Sequence, residues 1–269
     1  MRKSISNLAW NSLDIQFLSP YFHAAEIEGI EIAPTALWGS APHVSDKSIN
    51  QYSKVLSNLG FRVSAIQSLF YGRPDLQVFN TEKRDACIKH LVQMFELGIQ
   101  LGTNRAVFGS PKNRIKGNLN KIQADKIFIS FLEEIKPYLE KLDFILTLEP
   151  NAPDYGADYL TSYDEVVEIV DKLSSSRIQP QIDTGCIEMV GGDSVEAIKY
   201  RIPNHVHISL PNLEIPPGDL KHSEIKESLI LGGYEGWVVL EMLPKKKNQL
   251  ETIIKSVEWF NSAYSKDFI

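Results

Sequence analysis

The sequence lacks several features that mark whole classes of protein. It has two cysteines, Cys87 and Cys186, without CxxC or zinc-ribbon spacing, so we expect a reduced, cytoplasmic protein. No apolar run has the length of a signal peptide or a membrane span, so no membrane association is expected. No basic stripe offsets the net charge of −6, from 28 basic and 34 acidic residues, which disfavours a nucleic-acid partner.

A glycine-rich phosphate loop is also missing after the first predicted strand, which argues against an open doubly wound sheet. Instead, short apolar runs bounded by polar residues or glycine recur along the chain. They predict buried parallel strands at 5–9, 29–33, 62–67, 105–109, 144–149, 179–183, 205–209 and 237–241. Helical periodicity predicts helices at 87–101, 122–142, 163–173 and 250–264. Pro20 predicts a short or late-starting helix within 11–28.

Eight strands alternating with helices predict one α/β domain, a single (β/α)8 TIM barrel over residues 1–269. A chain of 269 residues has the usual length for such a barrel. Pro216-Pro217-Gly218 predicts a turn in the loop after the seventh strand rather than a domain boundary. Active sites of such barrels are built at the carboxyl ends of the strands, so the residues at those ends are the informative ones.

Four successive predicted strands carry groups that bind metal ions. Glu149 ends the fifth strand, Asp183 the sixth and Glu241 the eighth, and His207 lies in the seventh. One glutamate at a strand end is usually a solvated terminus, but four such groups on adjacent strands are hard to explain that way. Clustered carboxylates repel one another unless a proton or a cation neutralises them. The sequence therefore predicts one divalent metal ion, and ligand type suits Mn²⁺, Mg²⁺, Co²⁺ or Zn²⁺ alike.

These residues resemble those of the xylose isomerase-like TIM-barrel superfamily, and within it the sugar (phosphate) isomerases and epimerases. The resemblance covers nearly the whole chain. Its motifs are Leu-Glu149-Pro, Ile-Asp183-Thr, His205-Val-His207 and Leu-Glu241, with Pro216-Pro217-Gly218 and the residues from Gly233 to Trp237. It implies that His207 is the liganding histidine of the pair. It also implies that Glu149 and Glu241 bind the metal and act as the acid/base pair.

The activity that the resemblance implies is a metal-dependent isomerisation or epimerisation of a sugar or sugar derivative, as part of carbohydrate metabolism. A proton would move next to a metal-bound carbonyl, through an enediolate that the Lewis acid stabilises. One carboxylate would remove the proton, and for epimerisation a second would return one on the opposite face. The expected partner is a small-molecule sugar or sugar phosphate. The oligomeric state stays open, with a homo-oligomer among the alternatives.

Three positions depart from the ketose 3-epimerase pattern. Cys186 stands where that group has a histidine, Leu213 where it has an arginine, and Gly156 where it has an acidic residue. In the family these positions hold substrate oxygens and tune the glutamate. Two alternatives therefore stay open: a metal-dependent dehydratase (a lyase) of a keto-polyol or hydroxyacid, and a sugar-binding barrel with altered catalysis. Six histidines and the acidic charge disfavour a metal-dependent endonuclease of the same superfamily.

Other polar residues near the strand ends are candidates for binding substrate. Glu31 could bind a sugar hydroxyl, or it could pair with a base that lines the barrel. His205 has equal weight as a substrate ligand and as a buried core histidine. Lys112 and Arg114 follow the fourth strand, and we favour an anion clamp for a phosphate or carboxylate over a solvated loop.

Four further candidates carry weaker signals. Asn151 and Tyr155 follow the fifth strand in a loop rich in turn-forming residues, and turn chemistry explains that composition equally well. Cys186 is expected to line the pocket, without a neighbouring base that would make it a nucleophile. Gln67 closes the third strand. Substrate binding is thus predicted for Glu31, Gln67, Lys112, Arg114, Asn151, Tyr155, Cys186 and His205.

Overall fold

Eight parallel strands close into a barrel in chain order, with the first strand hydrogen-bonded to both the second and the eighth. The computed structural model describes residues 1–10, 13–39, 41–216, 221–244 and 247–265, so Pro217 and Gly218 of the predicted turn lie outside the described residues. The strands are β1 (Arg2–Ser6), β2 (Gly29–Ile32), β3 (Arg62–Ile66), β4 (Arg105–Phe108), β5 (Ile145–Leu148), β6 (Ile178–Asp183), β7 (His205–Ile208) and β8 (Trp237–Leu240). The predicted (β/α)8 barrel is confirmed.

Helices follow the strands and cover the outside of the barrel. They are α1 (Ile15–Ala24), α2 (Pro34–Trp38), α3 (Asp46–Asn58), α4 (Arg84–Leu101), α5 (Lys121–Lys141), α6 (Tyr163–Leu173), α7 (Thr184–Met189), α8 (Ser194–Tyr200), α9 (His222–Leu231) and α10 (Gln249–Ala263). The four helices predicted from periodicity are α4, α5, α6 and α10, and their ends agree within three residues. None of the helices in the described ranges combines the length and apolarity needed to span a bilayer.

The first strand is the element whose predicted position was wrong. It was expected at 5–9, but β1 ends at Ser6, and a 3₁₀ turn occupies Asn7–Ala9. The Ser6 hydroxyl accepts a hydrogen bond from the Leu8 amide, and the Asn7 side chain both accepts from and donates to the backbone of Ala33. Such side-chain bonds to the backbone compete with strand pairing, so the apolar residues after Ser6 belong to a turn.

The barrel interior is crossed by hydrogen-bonded polar side chains, while the large apolar residues form one continuous core that extends between the strands and the helices. The hydroxyls of Ser4 and Ser64 lie 2.8 Å apart, and the Thr147 hydroxyl donates to the Gln181 amide oxygen at 2.7 Å. Buried polar groups are costly unless each has a partner. These bonds therefore fix the directions of the inward-pointing side chains that support the barrel mouth.

Candidate metal centre

Glu149, Asp183, His207 and Glu241 converge at the carboxyl ends of β5 to β8. One donor atom of each lies within 4.8 Å of the other three. The His207 Nδ1 is 2.9 Å from Oε1 of Glu149, 3.1 Å from Oε2 of Glu241 and 3.8 Å from Oδ2 of Asp183. Strand register explains the meeting: Asp183 pairs with His207 across β6 and β7, and the two glutamates directly follow β5 and β8. The structure thus brings together the four residues predicted as metal ligands.

The charges and bonding of this cluster suit a divalent cation. Although three carboxylates surround it, the buried Nδ1 of His207 makes no hydrogen bond to any described residue. Burial, together with the charges of Glu149 and Glu241, raises the pKa of Asp183 to about 7. Burial lowers the pKa of His207, but the charges of Glu31 and Glu241 outweigh it and raise this pKa well above its ordinary value. A cation among the carboxylates would relieve their repulsion, and it would take the place of the proton on Nδ1.

Beneath the cluster, Glu31 on β2 holds both histidines of β7. Its oxygens lie 2.6 Å from the His205 Nε2 and 2.7 Å from the His207 Nε2. Burial raises the pKa of Glu31, yet the charge of His207 and the hydrogen bonds of both histidines lower it to about 2. An ionised carboxylate is only an acceptor, so each Nε2 donates to it. This bond fixes the orientation of the His207 ring and leaves Nδ1 as the atom that faces the cluster.

This geometry corrects the predicted substrate contacts of Glu31 and His205. Both side chains are fully buried, and the two oxygens of Glu31 are occupied by the histidines. The structure therefore matches the alternative in which Glu31 pairs with a base that lines the barrel. His205 is a hydrogen-bonded core histidine, and burial lowers its pKa to about 4, so its ring is neutral.

The carboxylate of Glu149 is held by two amides. Gln181 Nε2 donates to its Oε1 at 2.8 Å, and Asn151 Nδ2 donates to its Oε2 at 3.1 Å. Gln181 is itself oriented by the Thr147 hydroxyl. By contrast, the carboxylate of Glu241 contacts His207 and makes no side-chain hydrogen bond within the described ranges. The two glutamates that the sequence groups as one acid/base pair therefore differ in how firmly they are held.

Asp183 combines two tasks, because its oxygens face different partners. Its Oδ1 accepts a hydrogen bond from the Cys186 amide at 2.7 Å, and this bond caps α7. The same oxygen accepts a second bond from the Ser209 hydroxyl at 2.6 Å. Its Oδ2 faces His207. Sequence reasoning missed Ser209 and Gln181 because uncharged side chains in strands are common. The available signal was their position: each lies two residues from a predicted ligand on the same strand, and therefore on the same face.

The predicted two-cation clamp is not formed. Arg114 is 1% exposed, and its Nη2 donates at 2.7 Å to both the Glu149 carbonyl and the Asn151 Oδ1. Lys112 is exposed and lies against the loop at Gly156. Because the Arg114 guanidinium hydrogen-bonds to Glu149 and Asn151 instead, the two cations do not act together on an anion at the mouth.

The remaining predicted substrate contacts lie at or near the mouth and stay predictions. Burial, followed by the charges of Cys186 and Asp183, raises the pKa of the Tyr155 hydroxyl. Burial and the charges of Asp183 and Glu149 raise the pKa of the Cys186 thiol, so the thiol is protonated. Gln67 is buried and donates to the Ser6 hydroxyl.

The chain belongs to the family of xylose isomerase-like TIM barrels, whose model matches residues 21–263. Among curated proteins, none matches the sequence. Solved structures that resemble it include 3-keto-D-glucoside 4-epimerase from E. coli, with 16% identity, a TM-score of 0.78 and coverage of 97% of this chain and 99% of that one. D-psicose 3-epimerase in the presence of D-fructose has 16% identity, a TM-score of 0.79 and coverage of 99% and 98%.

A third similar structure is a probable 3-DHS dehydratase from Bacillus anthracis, with 12% identity, a TM-score of 0.73 and coverage of 100% of both chains. At these identities the likeness shows the fold. The neighbours include sugar epimerases as well as this dehydratase, so fold likeness alone does not separate an isomerase from a lyase.

Proposed function

We propose that this protein is a divalent-metal-dependent isomerase or epimerase of a sugar or sugar derivative. The observation that carries the proposal is the convergence of three buried carboxylates on the unbonded Nδ1 of His207. In the proposed site, Glu149, Asp183, His207 and Glu241 hold the metal. This set of three oxygens and one nitrogen suits Mn²⁺, Mg²⁺, Co²⁺ or Zn²⁺, and the buried thiol of Cys186 is not needed as a ligand.

The proposed reaction moves a proton on the carbon next to the substrate carbonyl. When bound, the divalent cation supplies a Lewis acid that stabilises the enediolate. Glu149 and Glu241 follow strands on either side of β6 and β7, and each approaches His207 Nδ1 from its own strand. A substrate between them would meet one carboxylate that removes the proton and another that returns one.

Neighbouring residues of this chain would bind and shield the substrate. Tyr155 and Cys186 lie beside Asp183, where both side chains would contact a bound substrate. A small sugar or sugar phosphate is the proposed ligand, and the similar solved structures named as sugar epimerases support this class.

Proton exchange in heavy water tests the proposal directly. The full chain, loaded with Mn²⁺, is incubated in D₂O with a panel of ketoses, keto-glycosides and their phosphates. We expect deuterium next to the carbonyl and a product of otherwise unchanged mass, detected by NMR and mass spectrometry. Glu149→Gln and Glu241→Gln should each lower the rate by about 10²–10⁴-fold, because each removes a proton-transfer group.

The outcomes separate the alternatives. Loss of water from the product would identify a dehydratase, which shares the first proton abstraction and then expels a hydroxyl. Metal binding without proton exchange on any substrate of the panel would favour a sugar-binding barrel with altered catalysis. Near-normal turnover in both glutamine variants would refute the assignment of the two glutamates.

A further inference from the structure

Arg114 is a buried cation whose surroundings give it little structural benefit. It is 1% exposed, and its Nε and Nη1 are buried without hydrogen-bond partners among the described residues. Its Nη2 bonds are to a carbonyl and an amide, both uncharged. A desolvated guanidinium without a paired carboxylate costs free energy, which points to a role at the neighbouring site rather than in stability.

The bonds of Arg114 lead to the Glu149 carboxylate by a short route. Arg114 Nη2 donates to Asn151 Oδ1 at 2.7 Å, and Asn151 Nδ2 donates to Glu149 Oε2 at 3.1 Å. An asparagine amide has one accepting end and one donating end. Because Arg114 is only a donor, it fixes the accepting end of Asn151 toward itself and the donating end toward Glu149. Without Arg114 the amide could rotate and present its oxygen to the carboxylate.

A second bond fixes the same residue from its backbone. Arg114 Nη2 also donates to the Glu149 carbonyl at 2.7 Å, so one guanidinium nitrogen holds both the main chain of Glu149 and the amide that orients its side chain. The packing around this link is tight. A Cβ built at Gly109 would overlap Oε2 of Glu149 and lie 3.1 Å from Oδ1 of Asn151.

We propose that Arg114 is a positioning residue that, through Asn151 and the Glu149 carbonyl, fixes the Glu149 carboxylate for metal binding. The inference rests on the proposed function, since it takes Glu149 as a ligand. It gives Arg114 a task different from substrate binding, and it makes Asn151 the intermediate that transmits the effect.

Two variants test the link, with Mn²⁺ affinity as the first readout. Arg114→Lys keeps the charge but replaces the planar guanidinium by a single ammonium. Asn151→Ala removes the transmitting amide and leaves Arg114 in place, so it serves as an independent test if Arg114→Lys fails to fold. Each should weaken Mn²⁺ binding by about 10–100-fold, as is typical for residues that orient metal ligands. The double variant should lose less than the product of the two single losses, because both act through one path.

Matched measurements separate positioning from loss of structure. Arg177→Lys, in a surface pair with Asp143, is the control and should leave the Mn²⁺ dissociation constant within about twofold. Circular dichroism and melting temperature establish that each variant is folded, and the EPR spectrum of bound Mn²⁺ should change in both site variants. A wild-type chain that binds no Mn²⁺ would overturn the proposed function and this inference with it. Unchanged affinity and EPR spectra in both variants, beside a wild type that binds, would overturn this inference alone.

Discussion

The two sides of the candidate metal centre, around Glu149 and around Glu241, are built differently. Both glutamates directly follow a barrel strand, and their exposed fractions are nearly equal at 8% and 6%. On the β5 side, Gln181 and Asn151 hold both oxygens of Glu149. On the β8 side, Glu241 contacts His207 and has no comparable support within the described ranges. Burial is the same, and the difference lies in hydrogen bonding.

This difference indicates that the two carboxylates differ in mobility, a property that residue type alone does not reveal. A carboxylate held at both oxygens loses little side-chain freedom when it binds a cation, and donated hydrogen bonds stabilise its charged form. Such a group is suited to be a fixed ligand. A carboxylate without these bonds can rotate between the metal and the substrate, which suits a group that carries a proton. We therefore expect Glu149 to be the more rigid, and Glu241 the more mobile, of the two proposed acid/base carboxylates.

Removing the space that Glu149 needs should have the largest effect. Gly109→Ala places a methyl group where Oε2 of Glu149 lies, so the carboxylate must move and its bond to Asn151 must break. We expect Mn²⁺ affinity to fall by about 100-fold, the upper end for changes that disturb ligand orientation. Isothermal titration calorimetry measures the affinity, with the adjacent Ser110→Ala as the control. Wild-type affinity in a folded Gly109→Ala variant would show that the β5 side is not rigid.

A change at Glu31 should affect both sides together, because His207 is common to them. Glu31→Gln keeps one acceptor oxygen for one histidine but turns an amide donor toward the other. The orientation of His207 should loosen, and we expect about a 10-fold loss of Mn²⁺ affinity. The exposed Glu235→Gln is the matched control in the same titration. If Glu31→Gln bound Mn²⁺ like the wild type, the hydrogen bond to His207 would not orient the ligand.

The barrel and the four clustered residues could be predicted from the sequence because both depend on local patterns. Apolar runs mark buried parallel strands, and charged residues at their carboxyl ends are conspicuous against that background. The first strand was misplaced because the Asn7 side chain binds the backbone of Ala33, a contact between distant positions in the sequence. Patterns within a strand carry no information about such a partner.

The support around the cluster could not be predicted, for the same reason. Arg114 appears in the sequence as a loop cation beside Lys112, and only the fold buries it against the Glu149 carbonyl. Glu31 was assigned to substrate binding, with pairing to a base that lines the barrel as the alternative, and only the meeting of β2 and β7 places it beside two histidines. Strand periodicity assigns a side chain to a face of the sheet, but its hydrogen-bond partner depends on which strands meet across the barrel.

The pH dependence of the stability of the metal-free protein also compares the two sides, and here we expect the smallest effect. In the metal-free protein the pKa of Asp183 is raised from 3.8 to about 7. Because its pKa is raised, Asp183 holds a proton more tightly in the folded state than in the unfolded chain, and this adds to the free energy of unfolding. The added stability is fully present below about pH 4 and is lost as pH rises through 7. Mn²⁺ bound at the proposed site would displace that proton and neutralise the cluster. The rise in melting temperature caused by Mn²⁺ should therefore be larger at pH 8 than at pH 6.

The two glutamates should contribute unequally to this pH dependence. After burial, the charge of Glu149 raises the pKa of Asp183 most, and that of Glu241 follows. Glu149→Gln should consequently lower the pKa of Asp183, and reduce the loss of metal-free stability as pH rises, more than Glu241→Gln does, since each removes one repelling charge and lets Asp183 ionise at lower cost. Melting temperatures of both metal-free variants between pH 5 and 9 measure the difference. An equal change in the pH dependence of the two variants would mean that Glu149 and Glu241 act equally on the charge of Asp183. The two carboxylates would then differ only in how firmly they are oriented.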